Sequence, residues 1–325
     1  MSLALVHARA ALAAAVTVAA SAAGAADSFP ARPVRMIAPF SAGGGADTVA
    51  RTTAQKLTEL LTQQVIVDNR PGASNIIGTD LTAKAAPDGY TIMIANSVHT
   101  INAGLSRKLP YDSIRDFSPI SLVATTPFMM IANPALPVKS VRDLVALARS
   151  KPGQLNYASP GAGTAAHLAA ELFKLEAGVD ILHVPYKGIS QALTDTIAGT
   201  TQVMILSPST ALAQAKAGRV RALAVTSAKR SDAMPDIPTM QEGGVKGYEF
   251  TSWYGLVAPR GVSRPIIVQL NAAVVKALQQ KDLRDRLESA GAEPQSSTPE
   301  QFGELLKREI GKFSNLVQRA KLTID

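Results

Sequence analysis

The chain has 325 residues, a formal net charge of +8 and no cysteine. The missing thiols exclude disulfides, a haem thiolate and a thiol nucleophile. The basic residues are scattered, with Lys229-Arg230 the densest group and no aromatic interleaving, so the charge does not point to nucleic acid.

The chain opens with the pattern of a secretory leader, expected over residues 1–25. Arg9 precedes the apolar run Ala10 to Ala20, and Ala23-Gly24-Ala25 fits a small-residue cleavage site. The run is too short to span a bilayer, so the expectation is an exported, periplasmic or secreted protein. About 300 residues follow, enough for two medium domains or one large one.

Val34 to Ala38 reads as a short apolar strand. The glycine-rich run Ser41 to Gly45 comes next, then a helix with Val49, Ala50, Ala54, Leu57, Leu60 and Leu61 on one stripe. Val65 to Val67 is a second strand, Ile76 to Ala86 a short helix stopped by Pro87-Asp88-Gly89, and Thr91 to Ala95 a third strand. This alternation implies a parallel sheet with helices on its faces. Asn96 to Pro119 carries turn signals and reads as irregular. Ile120 to Ala124 and Phe128 to Ala132, separated by Thr125, Thr126 and Pro127, are placed to carry the chain into a second domain.

Alternation then resumes. A helix is expected from Val141 to Ala148, with Ser140 and Asp143 capping it. Strands are expected at Leu155 to Ala158, Leu182 to Val184, Val203 to Leu206 and Val220 to Val225, with helices between them. Trp253 to Ala258 is an apolar strand able to cross back. Helices at Ser263 to Leu278 and Asp282 to Ser289 precede a last helix from Pro299, expected to pack on the first domain. The fold expected is α/β: two domains, 26–126 plus 257–325 and 127–256, each a mainly parallel sheet flanked by helices, with a ligand in the cleft.

Open parallel sheets bind ligands beyond the C-terminal ends of their strands. Two small-residue loops fall there: Phe40, Ser41, Ala42, Gly43 and Gly44 after the first strand, and Ser159, Gly161, Gly163 and Thr164 after the Tyr157 strand. Each runs into a helix N-terminus, where unpaired N–H groups favour an anion. Ser41, Ser159 and Thr164 add candidate hydroxyl donors. No Lys-Ser or Lys-Thr follows Gly43 to Gly45, so this is not a phosphate-binding P-loop. Asp47 either caps the first helix or contacts the ligand. His167 and Tyr186 are further candidates, as are Asn75 and Asn96 on the first domain's side. No metal-ligand spacing is present and no cofactor or metal is expected. A secreted hydrolase with a spatially assembled Ser/His/Asp site is the alternative, although neither Ser41 nor Ser159 sits in a G-x-S-x-G elbow.

Several ordered blocks resemble one family. They are Pro39-Phe-Ser-Ala-Gly-Gly44 with Asp47, Asn69-Arg-Pro-Gly72 followed by Ile77-Gly78, Ala86-Pro-Asp-Gly-Tyr90, and Leu109-Pro-Tyr-Asp112 with Asp116-Phe117. Tyr186-Lys-Gly188, Pro238-Thr239 with Glu242-Gly243, and Ser252-Trp-Tyr-Gly255 complete the set. From about Pro30 onward the chain resembles the periplasmic substrate-binding receptors of the tripartite tricarboxylate transporter system, the Bug receptors. The resemblance implies a monomeric receptor whose two domains close on a small organic acid, a mono- or dicarboxylate with aromatic and amino acids among the candidates, without catalysis. It also implies that the two loops hold a carboxylate from opposite domains and that a membrane permease receives the ligand. Two departures stand out. Ser74-Asn75 replaces a common Gly-Gly, and Thr201-Gln202 replaces a common Val-Asp. A neutral Gln202 facing the cleft would favour a plain carboxylate over an amino acid.

Overall fold

The computed structural model describes residues 29–105, 108–231 and 234–322. The expected leader lies outside the described residues. Two sheets organise the chain. The first has the order β11-β4-β10-β3-β1-β2, from β1 (Val34–Ala38), β2 (Val65–Asn69), β3 (Thr91–Asn96), β4 (Phe117–Pro127), β10 (Thr251–Pro259) and β11 (Glu293–Pro294). The second has the order β7-β6-β8-β5-β9, from β5 (Met129–Ala132), β6 (Asn156–Ser159), β7 (Leu182–Pro185), β8 (Val203–Leu206) and β9 (Arg221–Val225).

Both sheets are mixed. β1 is parallel to β2 and β3, and β6 to β7 and β8. The strands next to the crossings reverse: β10 is antiparallel to β3 and β4, and β5 is antiparallel to β8 and β9. Buried strands such as β5 and β8 are continuous apolar runs because apolar layers cover both faces of their sheet.

Only Phe128 separates β4 from β5, so the outward crossing falls at the Pro127 junction. The return is complete before Thr251, because all of β10 pairs in the first sheet, ahead of the boundary expected at 256. Near the crossings the Ser97 and Ser252 hydroxyls lie 2.9 Å apart, and Trp253 N–H donates to Ser97 Oγ.

The helices around the first sheet are α1 (Gly45–Leu61), α2 (Ile76–Ala83) and α3 (Val98–Gly104). Around the second lie α4 (Val141–Ser150), α5 (Ala165–Ala177), α6 (Ile189–Ala198) and α7 (Pro208–Lys216). The chain then returns through α8 (Arg264–Leu278), α9 (Lys281–Ser289) and α10 (Pro299–Ala320). α3 falls where the sequence reads as irregular. His99, Thr100, Ile101 and Asn102 are all buried there, so its inward residues are largely polar and leave no apolar stripe.

α10 packs on both lobes rather than the first alone. Phe302 and Leu306 join the core of the first sheet with Trp253 and Ile37, while Phe313 and Leu316 join that of the second with Tyr248 and Leu168. A capping box at Thr298 and Gln301 starts this helix.

Candidate functional site

The first candidate loop leaves β1 at the C-terminal edge of three parallel strands and enters α1 at Gly45. Ser41, Ala42, Gly43, Gly44 and Gly45 are exposed, and a Cβ built on any of the three glycines meets no atom within 4 Å. Gly43 has φ +85°, a conformation open to glycine at little cost. Open space around backbone at a helix N-terminus lets an anion approach the N–H groups. Phe40 is half-buried against the first core, and its carbonyl accepts from Asn69 Nδ2 at 3.1 Å.

Asp47 lies beneath this loop, only 4% exposed. Its Oδ2 accepts from Gly43 N–H and Arg51 Nε, each at 2.9 Å, and its Oδ1 accepts from Asn69 Nδ2 at 2.9 Å. Burial by itself would raise its pKa. The bonds from Arg51, Gly43 and Asn69 outweigh that and hold the carboxyl below the usual carboxylate value. Asn69 and Arg51, missing from the sequence-derived candidates, therefore organise the loop; Asn69 carried a signal as the first residue of the Asn69-Arg-Pro-Gly72 block.

Asn75 and Asn96 sit on the same edge. Continuing the β1–β3 pairing of Ile37 with Met93 sets Asn96 level with Phe40. Gly78 in α2 lies where any Cβ would meet Pro39 Cα and Arg70 O at 2.8 Å, so α2 is drawn against the first loop. Asn75 caps that helix from a left-handed conformation, and its Nδ2 donates to Asn96 Oδ1 at 3.1 Å.

The second loop leaves β6 and enters α5. Gly161 and Gly163 both have positive φ, +144° and +74°. Thr164 is the N-cap of α5: its hydroxyl accepts from His167 N–H and donates to Gly161 O at 2.8 Å. Ser159 is fully buried, and its Oγ shares a 2.7 Å hydrogen bond with His183 Nε2. Both hydroxyls are thus hydrogen-bonded within the second lobe, Ser159 to β7 and Thr164 to its own loop. His167 is also turned inward, 4% exposed, accepting from Gly163 N–H at Nδ1 and stacking on His183 at 4.1 Å. Burial first, and the neighbouring His183 second, lower its pKa to about 4 and keep it neutral. Tyr157 stacks on His183 beneath and donates to Glu171. Tyr186 supports the loop from the side, its N–H donating to Ser159 O and its hydroxyl to Asp195 at 2.7 Å.

Ser207 is a further polar residue on this edge. It follows β8, the parallel neighbour of β6, and leads into α7 with Pro208 at the first helical position. A Ser-Pro pair is a helix-start signal, and that signal could have pointed to it. Gln202 lies at the other end of β8. Its Oε1 accepts from Asn156 N–H at 2.8 Å, at the start of β6 and away from Ser159, so the argument from its neutrality against amino-acid ligands does not hold.

The Ser159–His183 contact is the nearest approach to a hydrolytic site. Ser159 has no exposed surface, and among the described residues no carboxylate is hydrogen-bonded to His183. The arrangement lacks both the accessible nucleophile and the orienting acid of a triad. No helix among the described residues is long and apolar enough to cross a membrane.

The profile described as "Tripartite tricarboxylate transporter family receptor" matches residues 49–322. Protein BugT of Bordetella pertussis is 38% identical over 295 residues, covering 90% of each chain. A Rhodopseudomonas palustris structure with adipate superposes with a TM-score of 0.78 at 36% identity, covering 90% of this chain and 98% of that one. MatC of the same organism, with bound malate, gives 0.73 at 32% identity, covering 89% and 100%.

Proposed function

The chain belongs to the tripartite tricarboxylate transporter receptor family, and from that premise we propose that it is a periplasmic receptor for a small organic carboxylate. Its lobes close over the ligand, which is then released unchanged to a membrane permease. One observation carries the reading: two glycine loops, one per sheet, each end a parallel strand and open a helix N-terminus. Backbone N–H groups there suit a carboxylate, and the glycines clear its approach. The adipate and malate bound to the two structural relatives support the same class of ligand.

In this reading Asp47 and His167 are positioning residues. Each accepts a backbone N–H of its own loop, from Gly43 or Gly163, and so fixes how the remaining N–H groups are aimed. Charged Asp47 stays out of contact with a ligand of its own sign.

Calorimetry with a panel of mono- and dicarboxylates tests the reading. At least one acid should bind saturably and be recovered unchanged. Gly43→Asp sets a carboxylate beside the bound anion, and like charges in contact cost several kcal/mol, so affinity should fall by roughly a hundredfold or more. Unaltered affinity in a folded Gly43→Asp protein would remove this loop from the site.

A further inference from the structure

The turn leading into α2 combines two observations. Ala73, Ser74 and Asn75 have φ of +47°, +52° and +71°, three successive non-glycine residues in the left-handed region. Such a run is held only where its surroundings over-determine it. Asn102, a buried residue of α3, donates to Ser74 O at 2.7 Å and ties the turn down, while Gly78 brings α2 against Pro39. The outcome is that Asn75, half-exposed, stands next to Asn96 on the edge that carries the first glycine loop.

The orientation of both amides follows from their bonds. Val98 N–H is an unambiguous donor, and it bonds Asn96 Oδ1 at 3.1 Å. Asn75 must then present Nδ2 to that same oxygen. This leaves Asn96 Nδ2 as a donor and Asn75 Oδ1 as an acceptor, neither with a hydrogen-bond partner among the described residues. A carboxylate cannot satisfy a lone acceptor; a hydroxyl can, because it donates to one group while accepting from the other.

We propose that the Asn75–Asn96 amide pair is a specificity determinant that selects carboxylates also bearing a hydroxyl group. The proposal rests on the carboxylate-receptor reading and deepens it by naming a ligand class. Asn75 reads the hydroxyl proton through Oδ1, and Asn96 donates to the hydroxyl oxygen. The strained turn contributes by holding Asn75 in place before ligand arrives.

Matched acids test this by calorimetry on the full mature protein: succinate with malate, butyrate with 3-hydroxybutyrate, and benzoate with 4-hydroxybenzoate. The hydroxylated member of at least one pair should bind about three- to tenfold tighter, the gain expected from one net hydrogen bond. Asn75→Gly keeps the left-handed turn and deletes the amide, so in that variant the ratio should fall to near one. Carboxylates that bind with no preference for the hydroxylated member would overturn the proposal while leaving the receptor reading intact. So would a preference that survives in folded Asn75→Gly. If no carboxylate binds at all, the receptor reading itself fails, and the proposal with it.

Discussion

Asp47 shows how a single buried side chain can shape a loop. Its residue type, in the first turn of a helix after a glycine run, was legible as a cap or a contact. Which of these it becomes depends on Asn69 and Arg51, which reach the same carboxylate from β2 and from the next turn of α1. Asp47→Ala leaves Gly43 N–H, the Asn69 amide and the Arg51 guanidinium without this acceptor. Three lost bonds, two of them to charged or backbone donors, are expected to loosen the loop and weaken ligand binding by at least about tenfold. Calorimetry of the variant checks this; wild-type affinity would mean that the loop holds its shape without Asp47. Ser159, Thr164 and His167 make the same point. Their positions beside the second loop were visible in the sequence, but their polar atoms turn inward to bond the loop itself.

At the level of elements, the apolar periodicities located most strands and helices because burial of one stripe or run leaves a repeating signature. α3 escaped, since its buried residues include His99, Thr100 and Asn102. These are paid no attention by a count of apolar residues, and their partners lie on other elements, as with His99 Nε2–H donating to Ser113 O at 2.8 Å. The contact between α3 and α10 is also invisible locally. Gly104, at the end of α3, faces Phe313: an added Cβ would stand 2.5 Å from Phe313 Cβ and 3.1 Å from Ser314 N. Backbone of α10 cannot step aside, so Gly104→Ala should destabilise the protein by roughly 1–3 kcal/mol despite alanine's better helix propensity. Urea unfolding measures it, and a stabilised variant would show that the helices are free to part.

For the whole molecule, burial of histidines in both lobes sets an acid limit on stability. His99 in the first lobe and His167 in the second are each lowered from 6.5 to about 4, chiefly by burial. They are neutral when folded, and unfolding lets them take up protons. The sign follows: the folded state has its full advantage above about pH 6.5 and loses it as the pH falls towards about 4. Each histidine should take on the order of 2 kcal/mol from the unfolding free energy between pH 7 and pH 5. Denaturant titrations at the two values test this, and an NMR titration placing either ring near 6.5 would contradict it.

The α/β alternation, the position of both glycine loops and the ordered blocks that mark the family are all readable along the chain. Those features are local: a strand's apolar run, a turn's glycine and a helix's first residue are written in neighbouring positions. The bonding of the polar residues around the loops is set instead by contacts between segments distant in the chain. Asp47 with Asn69, Ser159 with His183, and Asn75 with Asn96 are pairs separated by 22, 24 and 21 positions. Whether such side chains face a ligand or one another depends on strand register and on the close approach of α2 to Pro39. Likewise, α10 spans both lobes because its two halves meet different cores, and a single stripe of apolar residues does not specify which core each half will find.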